Sequence, residues 1–261
     1  MAGEKKKHIV FDIVGTCVSY GAFFDALEER LGDKLRSHGI PPRMLGMIWL
    51  ADTERECMFL KASGRSVRFV EILKPFIYRF LAMSGIQNPR SFCSDEDAEY
   101  IASSYRRLRA RSGVHECMEK LRQAGFEVWA CTSGDRVRVQ TYLAESGIEI
   151  PDDRFVPCEE IHGGAVTKPQ PGVYEFMLSK FPDAEEKWFA ACHMWDATAA
   201  RKCGYVCRVF VMMTVLLCLN SFKAAWCSAW EKEPVTEAFG EVEVMADDLA
   251  TMADKIVAAS A

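Results

Sequence analysis

Residues 113–147 read GVHECMEKLRQAGFEVWACTSGDRVRVQTYLAESG, and the alternation inside that stretch decides the fold. His115–Ala124 reads as a helix closed by Gly125, Glu127–Cys131 as a strand, and Arg136–Glu145 as a second helix ending at Ser146-Gly147. The rhythm continues with a short strand at Phe155-Val156, a helix at Val173–Lys180, a strand at Trp188–Cys192 and a helix at Asp196–Lys202 closed by Gly204. Alternating β and α units imply a parallel sheet with helices on both faces. Upstream, Ile9-Val10-Phe11 is a β-prone run that delivers Asp12 to its tip, and Gly15-Thr16 after it supply turn chemistry. From Tyr20 to Ser112 the pattern is helical throughout, in four segments (residues 21–38, 42–63, 67–84 and 94–111) parted by breakers such as Gly39-Ile40-Pro41-Pro42 and Ser63-Gly64. Four helices without an intervening strand read as a bundle. The expectation is therefore an α/β fold, a doubly wound parallel sheet over 1–18 and 113–261, with a four-helix insertion over 19–112.

Composition narrows the function classes. With 49% hydrophobic and 26% charged residues in 261, the chain sits near the globular average. Lys plus Arg (32) against Asp plus Glu (37) gives net −5, and no basic stripe with interleaved aromatics appears, so nucleic acid is not an expected partner. The 11 cysteines include no CxxC pair, which argues against zinc and a disulfide framework. The polar start MAGEKKKH runs directly into a strand, unlike a signal peptide, so a reduced, cytoplasmic setting is expected. Val209–Leu219 is apolar for 11 residues, short of the roughly 20 that span a bilayer, so no membrane association is expected.

In doubly wound sheets ligands bind beyond the carboxyl ends of the strands, and Asp12, Thr132-Ser133, Lys168 and His193–Asp196 all fall there. A carboxylate at a strand tip can attack carbon or phosphorus and form an ester or acyl phosphate that water then hydrolyses. Lys168 would hold it ionised and steady charge in the transition state, the hydroxyls of Thr132 and Ser133 would orient a substrate, and Asp196 would activate water. Taken singly, an Asp after a strand is more often a cap or turn residue, and a lone Lys a solvated charge; their gathering at successive strand ends favours function.

FDIVGT (Phe11–Thr16), CTSGD (Cys131–Asp135), TKPQPGVY (Thr167–Tyr174) and MWDAT (Met194–Thr198) resemble, in order and spacing, the haloacid dehalogenase-like hydrolase superfamily, and within it the L-2-haloacid dehalogenase (type II) branch. The resemblance implies a Rossmann-like core, a helical cap over 19–112, Asp12 as nucleophile, Lys168 as its charge partner and Asp196 as the residue positioning water. It further implies a substrate-binding group of Thr16, Thr132, Ser133, Tyr174 and His193, with Thr16 also supporting the nucleophile loop. A small-molecule substrate follows, and a homodimer stays open. Phosphatase relatives carry a second Asp two positions after the nucleophile, for proton donation and Mg²⁺; here Val14 stands there and can do neither, so neither Mg²⁺ nor another metal or cofactor is expected.

Three departures bear on substrate. The branch places an Arg after a cap Trp to hold the halide, whereas Trp49 is followed by Leu50; Arg43, Arg55, Arg65 and Arg68 lie in the same region. Its Ser-Ser-Asn becomes Ala191-Cys192-His193, which makes His193 either a base near neutral pH or a satisfied polar side chain. Ser133 stands in place of Asn. The leading reading is a hydrolase acting through an aspartyl ester on a small 2-substituted carboxylic acid. The alternatives are the same scaffold tailoring a larger metabolite, and a catalytically silent binding protein. Finally, the 17 residues Val206–Phe222 fit no element of the family pattern, since Gly204-Tyr205 would join naturally to Lys223. The segment reads either as a hydrophobic strand or core helix, or as the translation of a retained 51-nucleotide intron, whose Val-Cys start can be encoded GTATGT.

Overall fold

A computed structural model describes residues 6–65, 67–203 and 220–260. The chain divides into two units, Met1–Val18 with Ala110–Ala261, and Ser19–Arg109. The first begins with β1 (Lys7–Phe11), whose Ile9, Val10 and Phe11 are all fully buried. A strand apolar on both faces belongs in the interior of a covered sheet. The chain leaves along β2 (Val18–Ser19).

The second unit holds α1 (Gly21–Ser37), α2 (Pro42–Ala62), α3 (Phe69–Met83), the short α4 (Pro89–Phe92) and α5 (Asp95–Ser104). Pro42 opens α2 at a position where its missing N–H costs nothing. Ser94 caps α5 by accepting the Asp97 N–H at 3.0 Å, and Asp95, Glu96 and Asp97 place negative charge against the helix N-terminus. Trp49 anchors the unit's core, fully buried, edge-on to Phe23 at 4.9 Å and donating from Nε1 to the Leu73 carbonyl at 2.8 Å. The fourth long helix stops at Ser104, short of the expected Arg111. A 3₁₀ turn over Tyr105–Arg107 follows, and Leu108 then turns extended (φ −62°, ψ 154°) with its side chain buried.

The chain returns along β3 (Arg109–Ala110) and completes the first unit with α6 (Val114–Gln123), β4 (Phe126–Thr132), α7 (Arg136–Glu145), β5 (Phe155–Pro157), α8 (Pro171–Leu178), β6 (Glu186–Ala191), α9 (Met194–Lys202), β7 (Lys223–Cys227), α10 (Thr236–Phe239), β8 (Val244–Ala246) and α11 (Leu249–Ala259). Six strands lie in the order β5-β4-β1-β6-β7-β8, every pairing parallel. From β1 the chain winds outward through β4 to β5, then crosses to β6 on the other side of β1 and winds outward again. Right-handed crossovers in opposite directions put α6 and α7 on one face and α8 and α9 on the other. The reversal falls between β1 and β6, where such sheets open a crevice. Phe11 is level with Ala130 on β4 and with Ala190 on β6, so residues one or two beyond these converge.

Of the segment 206–222, residues 206–219 lie outside the described residues. Phe222 is buried, with its ring 5.7 Å from that of Phe189 and 6.3 Å from that of Phe181. Among the described residues no helix is long and apolar enough to cross a membrane.

Candidate active site

The end of β1 is fixed before any side chain is considered, because Asp12 N–H donates to the Ala190 carbonyl of β6 at 3.0 Å. The chain then turns at once: Val18 N–H returns to the Ile13 carbonyl (2.9 Å) and Gly15 N–H to Val18 (2.8 Å), with Gly15 at φ +92°, a conformation that suits glycine. Thr16 Oγ1 donates to Asp12 Oδ2 at 2.7 Å and accepts the Cys192 N–H at 2.8 Å, so one buried hydroxyl ties the nucleophile candidate to the end of β6. Arg111 closes the loop from outside, donating from Nε to Thr16 O (3.0 Å), from Nη2 to Gly15 O (2.7 Å) and from Nη1 to Ala229 O (2.9 Å). Sequence reasoning passes over Arg111, since an arginine between a helix and a glycine reads as a surface charge.

Lys168 is 2% exposed and bridges two carboxylates, with Nζ 3.0 Å from Asp12 Oδ1 and 2.7 Å from Asp196 Oδ2. Asp196 lies in the first turn of α9, where the helix dipole favours an anion, and its Oδ1 accepts the Tyr174 hydroxyl at 2.6 Å. Burial alone would raise the Asp12 pKa. The Lys168 charge, with the contacts from His193 and Thr16, outweighs it and holds the carboxyl well below the usual range. For Asp196 burial prevails, the Asp12 charge adds to it, and the pKa is pushed up in spite of Lys168. Burial disfavours the Lys168 ammonium, yet the two carboxylates reverse this and raise its pKa well above normal. The arrangement is an ionised Asp12 held by a permanent cation.

His193 precedes α9 in extended conformation, is 6% exposed, tilts against the Trp195 ring at 5.4 Å and brings Nδ1 to 3.7 Å from Asp12 Oδ2. At the end of β4, Thr132 Oγ1 accepts the Gly134 N–H at 3.1 Å. A Cβ on Gly134 would lie 2.6 Å from Val139 Cγ2, so the turn closes only around glycine. Ser133 Oγ is 3.8 Å from Cys158 Sγ. The structure thus gathers Asp12, Thr16, Lys168, Tyr174, His193 and Asp196 into one contact network. Within it the hydroxyls of Thr16 and Tyr174, which the resemblance counts among the substrate-binding group, donate to Asp12 and Asp196.

In the second unit, Leu50 is buried, Arg43 lies over the Phe24 ring at 4.7 Å, Arg55 pairs with Asp52 at 2.8 Å, Arg68 N–H donates to Glu71, and Arg65 is exposed. Among the described residues no group of three or more His, Cys, Asp or Glu is placed to hold a metal ion. A surface cavity of about 520 Å³, lined by Leu143, Ile148, Pro151 and Phe155 among others, contains none of the network residues.

Comparison with known proteins bears on this geometry. The family model described as haloacid dehalogenase-like hydrolase matches residues 6–204. An (S)-2-haloacid dehalogenase 4A from Burkholderia cepacia is 26% identical over 106 residues, so the match spans 40% of this chain and less than half, 45%, of that relative. An L-2-haloacid dehalogenase from Xanthobacter autotrophicus superposes with TM-score 0.66 at 15% identity, covering 96% of this chain and 98% of the other. The same Xanthobacter autotrophicus enzyme with chloropropionic acid covalently bound gives TM-score 0.64 at 14% identity, with coverage of 96% and 98%. A dehalogenase with an intermediate complex gives 0.70 at 17%, with coverage of 95% and 96%. These structural likenesses show the shared fold.

Proposed function

The chain belongs to the haloacid dehalogenase-like hydrolase family, and from that premise we propose that it hydrolyses a small 2-substituted carboxylic acid by way of an ester on Asp12. The observation that carries the reading is the setting of Asp12. It is a carboxylate at the sheet's switch point, cradled by Lys168 at 3.0 Å and Thr16 at 2.7 Å, and Val14 supplies no acid or metal ligand two residues later. Asp12 attacks the 2-carbon from the side opposite the leaving group, which departs with its electron pair. Thr132 and Ser133, at the adjoining strand end, bind the substrate carboxylate, and water then cleaves the ester. Lys168 keeps Asp12 anionic before attack and compensates negative charge as the ester opens, and Asp196 with Tyr174 holds Lys168 in place. The chemistry needs no metal, and we place the protein in a reducing, cytosolic setting, in keeping with nine buried free cysteines among the described residues.

A second reading, the same chemistry on a larger metabolite, draws on Leu50, a buried apolar residue after Trp49 where an arginine would hold a halide. Turnover in H₂¹⁸O distinguishes the covalent route from direct attack by water. Label in the peptide containing Asp12 after several turnovers is expected, and label confined to the product would refute the ester.

A further inference from the structure

Cleaving the ester requires a base for water, and the geometry singles out one. Asp196 is wholly buried, and its two oxygens already accept from Lys168 at 2.7 Å and Tyr174 at 2.6 Å, so it is committed to holding the cation and poorly placed to receive a proton from an entering water. His193 is an imidazole, able to take up a proton and return it, and it stands beside the nucleophile candidate. It retains 6% exposure, and its Nδ1 lies 3.7 Å from Asp12 Oδ2, the oxygen that Lys168 does not hold. We propose that His193 is the catalytic base that hydrolyses the Asp12 ester, an assignment that rests on the covalent reading above.

The step balances as follows. The imidazole takes a proton from water while the water oxygen bonds to Asp12 Cγ. The tetrahedral intermediate collapses with cleavage of the Cγ–O bond to the substrate. The departing 2-alkoxide takes the proton from the imidazolium and leaves as the 2-hydroxy acid, and Asp12 releases one proton to solvent as it returns to carboxylate. The nucleophile itself sets the timing: an anionic Asp12 favours an imidazolium beside it, and esterification removes that charge and frees the ring to act as base. The other titratable groups around this turn are Lys168 and Asp196, the Cys192 thiol next to it in sequence, Glu231, whose carboxylate accepts the Met194 N–H at 2.6 Å, and Arg111, spent on backbone carbonyls. Asp12 is held below the usual carboxylate range, so an acid limb near neutrality would not be its own.

The test mixes protein with (S)-2-bromopropionate and follows bromide release together with the mass of the Asp12 peptide. The wild-type adduct is expected to form and decay, with decay slowing as the pH falls and the imidazole is protonated. His193→Asn and His193→Gln, checked for native circular dichroism, are expected to release about one equivalent of bromide and to retain the adduct, which decays roughly 10²–10⁴-fold more slowly without the acid limb. An adduct decaying at the wild-type rate in both variants would refute His193 as base. Loss of adduct formation in the variants alone would overturn it too, by placing His193 in the first step. No adduct in any of the proteins would instead refute the ester reading on which the assignment rests.

Discussion

Replacing Lys168 by Met removes the cation while keeping most of the side chain's volume, and the two distances at its Nζ set the consequence. At 3.0 Å and an effective dielectric of 20, the attraction to Asp12 is about 5.5 kcal/mol, near four powers of ten in rate if it is fully expressed in the transition state. The same change leaves Asp12 and Asp196 as two buried carboxylates without their shared partner, so one of them binds a proton and the ionised fraction of Asp12 falls. An unpaired buried charge costs about 3–5 kcal/mol, so the single variant should also lose stability, below the pH where Lys168 would itself deprotonate. The double variant Lys168→Met/Asp196→Asn removes one of the two carboxylates. It is expected to recover most of the lost stability and none of the rate. The assay is kcat on the best substrate found among 2-substituted carboxylates, with urea unfolding followed by circular dichroism in parallel. A folded Lys168→Met enzyme that keeps more than a tenth of wild-type kcat would show that the cation is structural, and the reasoning would fail.

Asp12→Asn keeps the shape of the side chain but not the nucleophile, and turnover of every substrate should vanish; near-full activity in the purified variant would exclude the covalent route. EDTA should leave hydrolysis unchanged because Val14 offers no ligand, whereas strict Mg²⁺ dependence with phosphate esters would move the chain to the phosphatase branch. Arg111→Lys cannot reach three carbonyls in three directions as a fork does, so kcat should fall at least tenfold with KM little changed; an unaffected kcat would show that the loop needs no clamp. Deleting 206–222 puts Tyr205 next to Lys223, an aromatic residue where Phe222 packs on Phe181 and Phe189. A folded, soluble deletion variant and a transcript lacking those codons support the intron reading; an unfolded variant and a message retaining them support a genuine element.

The parallel sheet was legible because the strand-like segments Glu127–Cys131 and Trp188–Cys192 alternate with helical ones, and the strands form at Phe126–Thr132 and Glu186–Ala191. The network at the strand tips followed from the same pattern, since topology alone carries Asp12, Lys168 and Asp196 to one crevice. Three things were not legible. The fourth long helix ends where Leu108 takes a buried place, which no local propensity records. The partners of Thr16 and Tyr174 lie far along the chain, the Thr16 hydroxyl accepting the Cys192 N–H across 176 positions and the Tyr174 hydroxyl donating to Asp196 across 22. Arg111 draws its meaning from carbonyls, which carry no sequence signature at all.

Thr16, Lys168 and His193, whose side chains meet that of Asp12, and the Arg111 clamp beside it lie outside Ser19–Arg109. The reactive machinery is thus encoded in two pieces, a dozen or so residues before the excursion and the stretch after it. Ser19–Arg109 is in effect a cassette with a single entry and a single exit. On the proposed reading, such a layout leaves the Asp12 network in one unit when the cassette is exchanged or replaced. For the engineer, residues 19–109 are the piece that can be exchanged as a block, and position 111 is the border to leave alone.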